Sequence, residues 1–136
     1  MKTYNISINQ SYLSNNITNI DINKIPELIN DSIDTIFFNC SEALSVEDNN
    51  KVLQLLLEKL GLNGILNITI LDVQLYISDF ARNKITSNNF LQTMHKINNL
   101  ITTDDIAATL DTQKYQIYQI SSKDYQNYIS IRKVLL

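Results

Sequence analysis

Between residues 32 and 71 the chain shows strand, helix and strand patterns in unbroken succession, and this stretch limits the fold more than any other. Ser32-Ile33-Asp34-Thr35-Ile36-Phe37-Phe38 is nearly continuous in apolar and β-favouring residues, the pattern of a strand covered on both faces. Ser45 then stands where a helix cap belongs, with Asp48 in the box position. Val52, Leu53, Leu55, Leu56, Leu57 and Leu60 follow as a broad apolar stripe at helical spacing. Both glycines of the chain fall in Gly61-Leu62-Asn63-Gly64. Glycine adopts the positive φ that ends a helix and reverses the chain, so the helix is expected to stop at Gly61. Ile65 to Leu71 is again strand-like. Strand, helix and strand in that order predict a β-α-β unit with a right-handed crossover and two parallel strands.

The flanking segments fit around this unit. Tyr4, Ile6 and Ile8 alternate with Thr3, Asn5 and Ser7, a period of two that suits a strand with one buried face. Ile17, Ile20 and Ile22 straddle Asp21, so a short strand should end in a turn or brief helical segment at residues 26–30. Residues 72–82 and 88–98 fit helices, the second with Phe90, Leu91, Met94 and Ile97 facing inward. Thr102 or Thr103 with Asp104 and Asp105 opens a short helix through Leu110. Two last strands, roughly residues 115–120 and 125–134, are separated by Ser121-Ser122-Lys123-Asp124 and should pair as an antiparallel hairpin. Tyr115, Tyr118, Tyr125 and Tyr128 fit cross-strand packing there better than base stacking.

Composition narrows the function classes. With 136 residues, 44% of them hydrophobic and 18% charged, the chain predicts one compact domain over residues 1–136. A net charge of −3 gives no footprint for a polyphosphate, so no nucleic-acid partner is expected. The single cysteine, Cys40, excludes an internal disulfide, and the single histidine, His95, excludes a paired-histidine metal site, so no metal is expected. Cys40 reads as a buried inert thiol, His95 as a surface or boundary residue in a helix, and Asp34 as a turn or strand-edge residue. No run approaches 18 apolar residues, and the amino terminus shows no basic segment leading into an apolar one. The expectation is a soluble cytoplasmic protein with no membrane contact.

Several short motifs, in order, carry a family resemblance. Asp21-Ile22-Asn23-Lys24-Ile25-Pro26 holds an acidic residue followed by an apolar-proline pair, and Asp31-Ser32-Ile33-Asp34-Thr35-Ile36 is similar to a Ser-Phe-Asp-x-Ile strand. Glu42-Ala43-Leu44 stands in place of Glu-His-Leu. Leu60-Gly61-Leu62-Asn63-Gly64-Ile65-Leu66 resembles a Leu-Lys-Pro-Gly-Gly turn that enters a strand, Asp72 with the helix after it resembles the Pro-Asp that follows that strand, and Ile129-Ser130-Ile131-Arg132-Lys133 is similar to a closing hairpin. Together they resemble the class I S-adenosylmethionine-dependent methyltransferases, in a small and degenerate form. The resemblance implies a reduced Rossmann-like three-layer α/β sandwich, mostly parallel with a C-terminal antiparallel hairpin, and S-adenosylmethionine as the cofactor.

In that family the cofactor rests on a glycine-rich turn after the first strand, because residues without a Cβ let backbone amides approach it closely. The matching segment here is Tyr4-Asn5-Ile6-Ser7-Ile8-Asn9, with Ser7 and Asn9 where the glycines belong. Loss of tight cofactor binding is the expected consequence. The resemblance implies Ser7, Asn9, Asp21 and Glu42 as the cofactor-binding positions and assigns no catalytic residue. Asp21 serves either as a nucleoside-hydroxyl ligand or as a turn cap, and Glu42 either lines the crevice beyond the strand ends or caps a helix. One acidic residue stands where the family has two, and about eight polar residues precede it, too few for a helical crossover. Either the second or the third family strand is therefore missing. Two functions follow: a non-catalytic interaction or assembly module, with a homo-oligomer or partner protein covering the exposed sheet edge, or an active small methyltransferase of unknown acceptor, completed by a partner chain.

Overall fold

The computed structural model describes residues 2–6, 16–39 and 41–136. Ser7, Asn9 and Cys40 lie outside them. The elements are β1 (Thr3–Ile6), β2 (Thr18–Ile20), a 3-10 helix (Ile22–Glu27), β3 (Ile33–Phe38), a 3-10 turn (Ser41–Ala43), α1 (Val46–Lys59), β4 (Leu60–Leu71), α2 (Val73–Ala81), α3 (Ser87–His95), α4 (Thr103–Ala108), β5 (Tyr115–Lys123) and β6 (Gln126–Lys133). They build one six-stranded sheet in the order β2-β1-β3-β4-β6-β5. β1 runs parallel to β2 and β3, and β3 parallel to β4 across α1, while β6 is antiparallel to β4 and β5. The fold is therefore mixed α/β and Rossmann-like, with a mostly parallel sheet closed by an antiparallel hairpin.

The strand order settles which strand is missing. A six-stranded doubly wound sheet reads 3-2-1-4-5-6, and β2-β1-β3-β4 is its inner run 2-1-4-5. Among the described residues the lost member is the outer third strand, which leaves the three-residue β2 at that edge.

The core lies on one face of the sheet. Cross-strand register places Ile6, Phe38, Ile68 and Ile129 in one row and Ile36, Leu66 and Ile131 in another, and all seven are fully buried. Ile25, Leu53, Leu56, Leu57, Ile101 and Ile106 from the helical segments complete this cluster. On β3 the intervening residues differ: Asp34 is exposed, and Thr35 and Phe37 are half-buried. The strand expected to be covered on both faces thus buries one of them fully, with the alternation of a one-sided strand.

α1 begins as expected, with Ser45 Oγ accepting from the Asp48 amide at 3.1 Å. Its end corrects the glycine reading. The helix stops at Lys59, Leu60 opens β4 directly, and both glycines keep negative φ while Asn63 takes φ 63°. The glycines answer a different need. A Cβ on Gly64 would stand 2.7 Å from the Ile33 carbonyl oxygen and 2.8 Å from that of Gly61, where the β3–β4 ladder shifts register. Close backbone approach, not a left-handed turn, requires glycine there.

Two further details differ from the pattern reading. Leu91 is 53% exposed, so α3 turns Phe90 and Met94 toward the protein and Leu91 away. The hairpin strands extend to Lys123 and from Gln126, joined by Asp124 and Tyr125 at φ 51° and 65°. Two successive positive-φ residues match the right-handed twist of the paired strands, so Tyr125 sits in the turn and not in a strand.

Candidate functional site

In open α/β sheets ligands bind beyond the carboxyl ends of the strands, at the point where the strand order reverses. Here that point lies between β1 and β3, because the chain passes from β1 outward to β2 and returns to β3 on the other side. The described residues at this end are Ile6, Ile20 and Asp21, Phe38 and Asn39, Glu42, and Leu71 with Asp72.

Asp21 follows β2 and caps the 3-10 helix: its Oδ1 accepts from the Asn23 amide at 2.8 Å. Pro26 inside that helix needs no backbone donor, which suits so short an element. Glu42 follows β3. Its Oε1 accepts from the Leu71 amide at 2.8 Å and its carbonyl accepts from the Asn98 amide at 2.8 Å, so one residue joins the ends of β3 and β4 to the segment after α3. Burial pushes the Glu42 carboxyl above the ordinary carboxylate range, and the Leu71 amide offsets part of this. Asp72 caps α2 by accepting from the Leu75 amide at 3.2 Å, and its own amide donates to the Tyr125 carbonyl at 2.8 Å.

Glu42 and Asp72 thus meet on either side of Leu71, while Asp21 stands across β1 on the far side of the reversal point. Pattern reading missed the polar groups beside them. Asn5, only 1% exposed, donates from Nδ2 to Asn19 Oδ1 at 3.0 Å across the paired β1 and β2. Beyond β4, the buried Asp79 accepts from the Tyr125 hydroxyl at 2.7 Å, and this hydrogen bond is the main reason the hydroxyl is held above the ordinary tyrosine range. Tyr76 packs edge-on against Tyr125 and stacks on Phe90, which stacks on Phe80 at 4.1 Å. Aromatic residues at helical spacing in α2 and α3 were the available signal, but only the turn position of Tyr125 brings them together.

Burial of Glu42 sets a sign for its pH dependence. A carboxyl whose folded-state pKa is raised favours the fold fully below the unfolded pKa, and that contribution is lost as pH rises through the folded value. At neutral pH the carboxyl therefore lowers the stability of the fold relative to acid pH. Glu42→Gln keeps an acceptor for the Leu71 amide and removes the charge. It should melt higher than the parent at pH 7, with the gap closing below about pH 4, where both forms are neutral. Thermal unfolding in parallel at the two pH values reads this, and a variant less stable at both would contradict it.

A cavity of about 330 Å³ lies between the first turns of α1 and residues 99–109. Asn49 on its wall is 4% exposed, and its side-chain oxygen is shut away without a hydrogen-bond partner. Among the described residues no cluster of three histidine, cysteine or acidic side chains could hold a metal, and no helix is long and apolar enough to cross a membrane. His95 is exposed in the last turn of α3.

No protein-family model and no curated protein matches the chain. Solved structures do. A Bordetella parapertussis protein described as exported superposes with a TM-score of 0.59 at 16% identity, covering 87% of this chain and 44% of its own. A Sulfolobus solfataricus protein assigned to the type 11 methyltransferases gives 0.58 at 13% identity, covering 99% and 72%. The magnesium protoporphyrin IX methyltransferase of Synechocystis PCC 6803, solved with bound SAH, gives 0.55 at 12% identity, covering 89% and 53%. The chain thus spans about half the length of the first and third of these proteins. At such identities the likeness speaks to architecture alone: the fold of this chain is that of the class I S-adenosylmethionine-dependent methyltransferases.

Proposed function

We propose that this protein is a methyltransferase-like module that does not transfer methyl groups on its own and acts through contact with another chain. The carrying observation is that each carboxylate at the strand ends already serves the fold: Asp21 holds the Asn23 amide, Glu42 the Leu71 amide and Asp72 the Leu75 amide. A ribose diol needs a carboxylate that can accept two hydrogen bonds in one plane. With one oxygen of each committed to an amide, a diol would have to share that oxygen or rely on the second alone, a weaker grip than two open acceptors give. Asn5 adds to this, because its side-chain amide is likewise committed, donating to Asn19 across β1 and β2. On this reading the described carboxylates are a poor match for the ribose of S-adenosylmethionine.

Calorimetric titration is the direct test. S-adenosylmethionine and S-adenosylhomocysteine should give no heat of binding at roughly millimolar concentration, and affinity near micromolar would overturn the reading. One observation favours a second reading, an active small methyltransferase of unknown acceptor completed by a partner chain. The half-buried Glu42 carboxyl, raised above its ordinary range, sits at the crevice end of the sheet, where groups of that kind bind or relay protons. Cofactor binding that appears only on adding a partner would support it.

A further inference from the structure

Resting on that reading, we infer that the contacting chain is a second copy of this one, and that the two copies pair their β5 strands antiparallel about a twofold axis near Ile120. β5 ends the strand order and is nine residues long, against three for β2 at the opposite edge. A strand in that position presents a row of backbone donors and acceptors outward, and proteins ordinarily blunt such a row with charges, proline or a bulge. From Tyr115 to Ser122 this strand has no charge and no proline, and its one bulge, between Ile117 and Gln119, leaves Gln119 to Lys123 in regular register; its one charge, Lys123, is at the end.

The side chains point to the same edge. Register links Ile20, Ile6, Phe38, Ile68, Ile129 and Ile120 into a single apolar row that crosses all six strands on the core face. Its inner members Ile6, Phe38, Ile68 and Ile129 are fully buried, yet the row runs off the sheet at Ile120, which is 52% exposed. A strand added alongside would continue the row.

β5 itself is a suitable strand to add. With Ile120 opposite its own copy, Gln119 faces Ser121, Tyr118 faces Ser122 and Lys123 falls opposite Ile117, so no like charges meet. An isologous contact of this kind closes at two copies and leaves no further long edge. The bulge between Ile117 and Gln119 turns Tyr118 under the Arg132 guanidinium, 4.5 Å from the ring, and leaves Ile120 at the centre of the pairing.

Sedimentation velocity over a concentration series tests this, with Ile120→Lys and, as a control at another exposed aliphatic residue, Leu91→Lys. The parent should sediment as a dimer at roughly 50 micromolar. Ile120→Lys should raise the dissociation constant at least about tenfold through two like charges at the twofold, while Leu91→Lys should leave it unchanged. Unchanged circular dichroism of Ile120→Lys separates lost pairing from lost folding, as expected for a half-exposed side chain. A parent that is monomeric throughout, a dimer indifferent to Ile120→Lys, or equal weakening by both substitutions would overturn the assignment. Cofactor titration is a separate measurement, so a monomer leaves the non-catalytic reading standing, and cofactor binding leaves the dimer standing.

Discussion

Lys133→Met should lower the unfolding free energy by about 2–4 kcal/mol. Lys133 closes β6 and is 3% exposed. Its ammonium donates to Asp31 Oδ1 at 2.6 Å, to the Leu60 carbonyl at 2.9 Å and to the Leu57 carbonyl at 3.3 Å. Leu57 lies in the last turn of α1 and Leu60 follows its end, so the cation meets the negative pole of that helix while pinning it to the hairpin. Methionine keeps most of the volume and apolar stem, so the loss reports the hydrogen bonds themselves. Exchanging a whole buried ion pair for apolar residues can be neutral, but here only the donor leaves: the Leu60 carbonyl loses its ammonium partner and the Leu57 carbonyl keeps the Leu60 amide. The carboxylate contributes less, because Asp31 is half-exposed and water screens it. Asp31→Asn should therefore cost under about 1 kcal/mol. Urea unfolding of the two variants compares them, and a Lys133→Met loss no larger than that of Asp31→Asn would show that water replaces the ammonium.

Gly64→Ala should cost about 2–4 kcal/mol, whereas Gly61→Ala should cost about 1 kcal/mol or less. Each adds one methyl group. At Gly64 that carbon would lie 2.7 and 2.8 Å from two backbone carbonyl oxygens, which cannot rotate aside as a side chain can. Relief requires β3 and β4 to part where their register already shifts. At Gly61 the nearest atom, the Asp31 carbonyl oxygen, is 3.3 Å away, and a displacement of a few tenths of an ångström suffices. Neither glycine has positive φ, so backbone strain at the substituted residue does not enter the comparison. Chemical denaturation of the pair measures the contrast, and equal losses would mean that the general cost of altering a strand outweighs the contact.

Much of the fold was legible in residue pattern. The β3-α1-β4 unit followed from two near-continuous apolar, β-favouring runs on either side of an apolar stripe at period 3.6, patterns that arise within a few residues of one another. The Ser45 cap and the Thr102–Asp105 capping box were readable for the same reason, since both partners lie three residues apart. Of the candidate cofactor positions, Asp21 and Glu42 proved to hold the 3-10 helix and the end of β4, while Ser7 and Asn9 fall outside the described residues. Glu42 could not be read fully, because its partner Leu71 is 29 residues away. Nor could Tyr125, whose contacts with Asp79 and Tyr76 depend on a turn two residues long.

By itself the sequence determined the elements, their alternation and the absence of glycine after the first strand, because these depend on local sterics and on periodicity along one chain. Tertiary structure alone decided that, among the described residues, the outer third strand of a doubly wound sheet is the one without a counterpart, that Gly64 is needed for a carbonyl of β3, that Lys133 closes α1, and that an apolar row ends uncovered at Ile120. Each of those depends on which distant backbones become neighbours, and that is set by strand order and register across the sheet, not by the spacing of residues along the chain.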